Sequence, residues 1–363
     1  MIQPPSQTPP TSSTSELNLP PWLERQLATL LSQRGHAWLL EGPSGLGQYR
    51  LALALARAWL CDQPVRDAAG HIQAACGTCD SCHAVDVRTH ADLAVLMPET
   101  VAMALNWPLS EKAQSEIDDK KRKPSKEIRV EAARDMVAFT QQTRSGGSTK
   151  VVLIYPAERM NHVTANTILK TLEEPPGETR FVLASEAAHQ LLPTIRSRCQ
   201  MHNMAWPDEP QSLQWLSEQG LPAADAPSLL RAAGGRPEDA LMLANTGLKA
   251  SHWAALPKAA QRGDLSSLSD STPAQIISAL QKLCHDLLAS HAGAAPRFFL
   301  PADLPMAGSM ASLTQWAKDL SQSLRTAEHP YNPGLMVEAL AAGAQMAMRH
   351  SADKAPRTSA PRA

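Results

Sequence analysis

The sequence predicts an α/β fold in which a P-loop-type parallel sheet is followed by an all-helical C-terminal part. Two observations predict it. Short, continuous apolar runs alternate with amphipathic helical patterns up to residue 205, and no comparable run follows Pro207. Such runs are typical of parallel strands that helices cover on both faces. Strands are predicted at residues 37–40, 93–96, 151–154 and 181–184.

The spacing of apolar residues predicts helices between these strands. One stripe recurs at i, i+4, i+7 and i+8 and consists of Leu51, Leu55, Ala58 and Trp59. A second stripe covers residues 165–172 and ends before Pro175. This spacing places apolar side chains on one helix face, and the alternation of strand and helix implies right-handed crossovers. Residues 213–216 and 273–288 predict further helices.

Length and composition indicate a multidomain protein without a global charge field. The 363 residues are 43% hydrophobic and 19% charged, and the formal net charge is −1, which disfavours nonspecific attraction of the whole chain to nucleic acid. Residues 1–16 and 351–363 are polar and aperiodic, so we expect disordered tails. Neither a secretory signal nor a membrane span is recognisable, which predicts a cytoplasmic protein.

Residues 98–126 are predicted to be an inserted, exposed loop because large apolar residues are scarce there. The loop carries four consecutive basic residues, 120–123, directly after Asp118 and Asp119. A basic run can hold DNA phosphates, but solvated charge is the more common role, and the two aspartates weaken the positive field. Both interpretations stay open at this point.

A phosphate-binding loop is expected after the first strand, but its chemistry has changed. The loop consists of Gly42, Pro43, Ser44, Gly45, Leu46, Gly47, Gln48 and Tyr49. A working loop ends in a Lys that reaches the β- and γ-phosphates and a Ser or Thr that binds Mg²⁺. Here Gln48 carries no charge, and Tyr49 lacks the short hydroxyl side chain. We therefore expect no ATP in this site, although the backbone N–H groups leave residual binding open.

The carboxylates that should complete the magnesium site are also missing. They belong directly after the strand at residues 151–154. Tyr155 and Pro156 stand there instead, and Glu158 is displaced by two or three positions. The sequence therefore predicts a retained nucleotide-binding fold that has lost its ligands.

Four cysteines have the spacing of a zinc site. Cys76, Cys79 and Cys82 are separated by two-residue gaps, and Cys61 lies fifteen positions before the first of them. Four thiolates complete the tetrahedral shell of a structural Zn²⁺, whereas the spacing of common iron–sulfur motifs differs. Reduced thiols, or the exchange of one ligand for His71 or His83, remain alternatives.

The order of these motifs carries a family resemblance. The altered loop and the cysteine module (residues 61–82) are followed by Asn-Thr-Ile-Leu-Lys-Thr-Leu-Glu-Glu-Pro-Pro at residues 166–176 and Ser-Arg-Cys at 197–199. The chain resembles the AAA+ clamp-loader subunits of bacterial DNA polymerase III. The resemblance implies an AAA+ domain at 17–205, a helical lid at 206–248 and a helical collar at 249–350.

The resemblance also implies a role and partners. It suggests an ATP-silent stator in a hetero-pentamer with delta and the gamma/tau ATPases, which loads the sliding clamp onto primer-template DNA. Glu238 stands about where active members have a nucleotide-sensing lid arginine. Arg198 would be an arginine finger directed at ATP on a neighbouring subunit; the alternative is an ordinary surface arginine paired with a carboxylate.

Two other functions are compatible with parts of the sequence. The first is an active ATPase in which Glu158 holds the metal and Gln48 suffices at the phosphate. The second is a zinc-dependent DNA-binding module that uses the cysteines and residues 120–123. Neither explains the motifs at 166–176 and 197–199 together.

Overall fold

A computed structural model describes residues 19–146, 149–306, 308–327 and 332–349. The predicted disordered tails, 1–16 and 351–363, lie outside the described residues. The chain divides into two compact units, Met1–Pro207 and Asp208–Ala363. The finer boundaries of a lid and a collar within the second unit stay predictions.

The first unit combines a parallel sheet, a small hairpin and helices. Its strands are β1 (Ala37–Glu41), β2 (Val65–Arg66), β3 (Ile72–Ala74), β4 (Leu93–Leu96), β5 (Lys150–Ile154), β6 (Thr179–Ser185) and β7 (Gln200–Asn203). Its helices are α1 (Pro21–Ser32), α2 (Gln48–Leu60), α3 (Asp80–Asp86), α4 (Glu99–Ala104), α5 (Glu111–Asp118), α6 (Val130–Gln141), α7 (His162–Glu173) and α8 (Pro193–Arg196).

The sheet confirms the predicted AAA+ P-loop-type α/β fold. Its strand order is β4-β5-β6-β1-β7, and every neighbouring pair is parallel. All four predicted strands form. Because parallel strands end at one edge, the segments after β1, β5 and β6 lie close together there.

Buried apolar side chains fix the position of that edge. Ile154 of β5 and Leu183 of β6 are fully buried in a core that also contains Ile168 of α7. The side chain of Asn161 caps α7 by accepting a hydrogen bond from the backbone N–H of Thr164 at 3.0 Å. The ends of β5 and β6 therefore lie on a packed core.

The second unit is helical in the part of the chain that the structure describes. Its helices are α9 (Glu209–Glu218), α10 (Ala226–Ala232), α11 (Pro237–Asn245), α12 (Ala250–Gln261), α13 (Pro273–His291), α14 (Met310–Thr326) and α15 (Pro333–Met348). A capping box of Thr272 and Gln275 starts α13. The rings of Trp253 and Phe299 stack in the core with centroids 4.6 Å apart. Among the described residues, no helix has the length and apolarity needed to cross a membrane.

Candidate functional site

The altered phosphate loop joins β1 to α2 and keeps the backbone shape of a phosphate loop. Gly45 and Gly47 have φ angles of 78° and 93°. This left-handed region strongly favours glycine, so both glycines are required by the turn. Gln48 then begins α2 at the end of the loop. The predicted loop and helix are therefore both present.

Gln48 fills this loop with its own side chain. The residue is 2% exposed, and its Nε2 donates to the carbonyl oxygens of Gly42 and Pro43 at 2.7 Å each. A lysine at this point of a working loop extends towards the phosphates. The Gln48 amide instead bonds to the loop itself and supplies no positive charge to an anion.

Tyr49 belongs to an aromatic cluster (Tyr49, Trp107 and Tyr155) beside the loop. The rings of Tyr49 and Tyr155 lie 5.3 Å apart, and Trp107 Nε1 donates to the Tyr49 hydroxyl at 2.6 Å. Tyr49 and Tyr155 are two of the three positions, with Pro156, that were predicted to lack magnesium ligands. The structure thus brings them together as packed aromatic side chains.

Glu158, the displaced carboxylate, is bound to the end of β6. It accepts hydrogen bonds from Ser185 Oγ at 2.7 Å and from the backbone N–H of Glu186 at 3.2 Å. Ser185 is fully buried. The Tyr155 hydroxyl donates to Glu186 Oε1 at 2.8 Å. Each of these acidic side chains therefore has a protein partner at the edge where a metal would bind.

The prediction of a loop at residues 98–126 is wrong, although many side chains of the segment are exposed as predicted. The segment forms α4 and α5, and Trp107 between them is only 9% exposed. Glu99 accepts from Arg122 Nη2 at 2.8 Å and from the backbone N–H of Ser125 at 2.7 Å. Burial alone would raise the pKa of Glu99, but these donors hold it below its ordinary value. One buried tryptophan and one partly buried ion pair thus order a segment that is otherwise polar.

The basic run within this segment is partly neutralised. Arg122 Nε also pairs with Glu116 at 2.7 Å, and Lys121 pairs with Asp119 at 2.8 Å. These pairs engage two of the four consecutive cations. The run is therefore a weaker phosphate-binding surface than its sequence suggests.

The four predicted cysteine ligands converge on one point. All four sulfur atoms lie within 4.8 Å of one another, and Cys61 Sγ is 3.4 Å from Cys76 Sγ and 3.8 Å from Cys79 Sγ. A tetrahedral zinc ion with bonds of about 2.3 Å spaces its sulfurs about 3.8 Å apart. Cys76 and Cys82 sulfurs are 4.0 Å apart. The donor set fits a metal ion such as zinc.

Three elements bring the thiols together. Cys61 directly follows α2, the hairpin of β2 and β3 leads to Cys76, and Cys79 caps α3 by accepting a hydrogen bond from the backbone N–H of Cys82 at 3.4 Å. An ion pair of 2.8 Å between Arg57 of α2 and Asp86 of α3 joins the module to the main domain. His71, one of the two alternative ligands, instead contacts Asp67 at 3.3 Å, and the cluster of candidate ligands among the described residues includes neither His71 nor His83.

The thiols differ in their electrostatics. Burial raises the pKa of Cys61 and that of Cys82. Backbone N–H groups of Thr78 and Cys79 lower the pKa of Cys76 to about 6. Because a metal binds thiolates, loading the site must displace protons from the buried thiols.

Arg198 lies in the turn after α8 and is paired within its own chain. Its Nη2 and Nε donate to Glu173 Oε2 at 2.7 and 3.0 Å, and its Nη1 donates to the carbonyl oxygen of Thr194 at 3.0 Å. Its side chain is 29% exposed. The geometry therefore matches the paired-arginine alternative in the free chain, and the pair remains accessible to solvent at a surface.

Comparison with known proteins identifies the family. A profile described as "DNA polymerase III, delta subunit" matches residues 23–207, which is more than half of the chain. The chain belongs to the DNA polymerase III delta subunit family. The predicted resemblance to clamp-loader subunits is thereby confirmed.

Several relatives support this membership of the delta subunit family. The DNA polymerase III subunit delta' of Pseudomonas aeruginosa is 38% identical over 233 residues, which are 63% of this chain and 62% of that protein. The delta' subunit of Escherichia coli is 34% identical over 229 residues, or 61% of this chain and 60% of that protein. The tau subunit of Salmonella typhimurium is 32% identical over 216 residues, or 57% of this chain and 28% of that protein. The alignments span about three fifths of the two delta' proteins.

Three residues of this delta-family site were not predicted from sequence. Trp107 is an isolated aromatic in a polar segment, and Ser185 is one hydroxyl at a strand end, so neither produces a pattern. Glu173 does lie in the motif at residues 166–176, but its contact with Arg198 joins positions 25 residues apart. Only the fold brings the two together.

Proposed function

We propose that the chain is an ATP-silent stator subunit of a DNA polymerase III clamp loader. In this role it assembles in the cytoplasm with delta and gamma/tau subunits, as a hetero-pentamer that loads a sliding clamp onto primer-template DNA. It contributes Arg198 to ATP hydrolysis on a neighbouring subunit. Membership of the delta subunit family and similarity to delta' and tau proteins support the assembly.

One observation carries the ATP-silent part of the proposal. The Gln48 side chain bonds to the carbonyl oxygens of Gly42 and Pro43 at 2.7 Å, within the loop that would cradle phosphate. Phosphate binding needs N–H groups and positive charge, and Gln48 supplies no charge there. Tyr49 and Tyr155 likewise place aromatic rings where a magnesium site needs oxygen ligands.

The contacts of Glu158 argue against the active-ATPase alternative. The Ser185 hydroxyl and the Glu186 backbone N–H hold the Glu158 carboxylate at the end of β6. These hydrogen bonds occupy part of the acceptor capacity of the carboxylate, which makes it a weaker ligand for Mg²⁺.

The cysteine module has a structural role in this proposal. Zn²⁺ held by Cys61, Cys76, Cys79 and Cys82 would join the end of α2 to the hairpin and α3, because four protein ligands leave no open position for chemistry. The metal would therefore stabilise the first unit and would not act on a substrate.

Turnover by the purified chain tests the proposal. We expect no magnesium-dependent ATP hydrolysis by the chain alone, and we expect it to co-elute with delta and gamma/tau subunits in size-exclusion chromatography. Magnesium-dependent turnover that follows the chain through purification would contradict the ATP-silent role. Failure to co-elute with these subunits would contradict the assembly.

A further inference from the structure

The guanidinium of Arg198 is already fixed by its own chain. Three of its nitrogen atoms donate to two acceptors, Glu173 Oε2 and the carbonyl oxygen of Thr194, at 2.7 to 3.0 Å. A long side chain that makes three such bonds loses most of its rotational freedom. Arg198 is therefore ordered by contacts within its own chain, although the side chains of Arg198 and Glu173 are 29% and 57% exposed.

Both ends of this contact stand on rigid elements. Glu173 is the last residue of α7 and follows Leu172, which is fully buried. The backbone N–H of Arg198 donates to the carbonyl oxygen of Ile195 at 3.1 Å, and Ile195 is also fully buried. Leu172 and Ile195 belong to the same core. The Glu173–Arg198 pair thus bridges two elements whose relative positions are set by packing.

The contacts leave part of the guanidinium available. Arginine has five N–H donors, of which the three bonds to Glu173 and Thr194 use one each on Nε, Nη1 and Nη2. Within the described residues, one further N–H on each terminal nitrogen is left for another acceptor. Two such donors can match two oxygens of a phosphate.

We propose that Glu173 is a positioning residue that holds Arg198 ready for a phosphate on a neighbouring subunit. The inference rests on the proposed trans role of Arg198. Glu173 bonds the Nε side of the guanidinium and leaves N–H groups of both terminal nitrogens for the phosphate. An arginine that is ordered in advance loses less freedom when it meets the transition state.

The adjacent carboxylate provides a matched control. Glu174 is exposed, like Glu173, and the described contacts of Arg198 include Glu173 and not Glu174. Glu173→Gln and Glu174→Gln therefore remove the same charge from neighbouring positions. Only the first replaces the charged acceptor of Arg198, a carboxylate, with the neutral and weaker oxygen of an amide.

A double-mutant cycle in the reconstituted clamp-loader complex tests the proposal. The complex is assembled with one of four variants of the chain: Glu173→Gln, Glu174→Gln, Arg198→Ala, or the double variant with Glu173→Gln and Arg198→Ala. Rates of DNA-stimulated ATP hydrolysis then give kcat and KM for each complex. We expect Glu173→Gln to lower kcat about 3- to 10-fold with KM little changed. Glu174→Gln should match the unmodified complex, and Glu173→Gln should have no further effect when Arg198 is already alanine.

The possible results separate this inference from the proposed function. A normal rate with Glu173→Gln and a reduced rate with Arg198→Ala would overturn the positioning role alone. An equal loss from Glu173→Gln with and without Arg198 would also overturn it, because Glu173 would then act independently. A normal rate with Arg198→Ala would overturn the trans role itself. Glu173→Asp, which keeps the charge on a shorter arm, should give an intermediate kcat and serves if Glu173→Gln does not assemble.

Discussion

At the scale of single residues, the loss of nucleotide chemistry involves more than missing ligands. The sequence predicts that Gln48 and Tyr49 cannot replace the lysine and hydroxyl of a working loop, because their side chains have the wrong charge and reach. It does not predict where those side chains go. Gln48 donates hydrogen bonds to Gly42 and Pro43, and Tyr49 packs against Tyr155. Both contacts arise because the fold sets where the loop and the end of β5 lie.

Gln48→Lys tests whether charge alone can restore the site. We expect no ATP hydrolysis by this variant, because Tyr49, Tyr155 and Pro156 still deny Mg²⁺ its oxygen ligands. Calorimetric titration with Mg-ATP and a turnover assay are the measurements, and Gln48→Ala is the control for loss of the loop contacts. Magnesium-dependent turnover by Gln48→Lys and not by Gln48→Ala would contradict the account.

At the scale of elements, burial decides how much of the fold the sequence predicts. β1, β4, β5 and β6 are continuous apolar runs and were all predicted. β7 was missed, because this edge strand consists of Gln200, Met201, His202 and Asn203, and most of these side chains are exposed. The hairpin of β2 and β3 is too short and too exposed to give a periodic signal.

The segment at residues 98–126 shows that composition can also hide ordered structure. Its order depends on Trp107, whose partner Tyr49 is 58 positions away, and on the pair of Glu99 with Arg122. The overall composition of a segment does not reveal single contacts of this kind. A sequence with few apolar residues can therefore still form an ordered segment when one large side chain is buried.

Trp107→Ala should destabilise the first unit by about 3 kcal/mol, because it removes a large buried side chain and leaves a cavity. Urea unfolding measures the change. Met103→Ala is the control within the same segment, since Met103 is 47% exposed, and it should cost less than about 1 kcal/mol. Equal effects of the two variants would show that Trp107 does not anchor the segment.

The cysteine module yields a prediction about metal content. The purified chain should contain about one zinc per molecule, and Cys79→Ala should lose it and increase amide hydrogen exchange at the end of α2, since a closed thiolate site contributes folding energy. Cys199→Ala is the control, because Cys199 lies outside the cluster and should not affect zinc content. Protein prepared without chelator that contains no zinc would contradict the prediction.

At the scale of the whole molecule, the features on which the proposed function depends lie in the first of the two units. The altered loop, the cysteine module and Arg198 all belong to Met1–Pro207, which also contains the whole family match. The helical unit from Asp208 onward was predicted in type from its helical patterns. Its proposed lid and collar roles follow from the family resemblance, because they involve contacts with partner subunits.

The most direct test of the central claim, that an ATP-silent chain acts on its neighbour's ATP, is DNA-stimulated ATP hydrolysis by the complex with Arg198→Ala. We predict normal assembly but a loss of at least about 10-fold at the one ATP site that this subunit faces, since trans arginine fingers contribute about 10³–10⁵ in well-characterised NTPases. Arg198→Lys should rescue poorly because it lacks the planar fork, and Arg196→Ala should have a smaller effect. Hydrolysis and clamp loading at the unmodified rate with Arg198→Ala would contradict the claim.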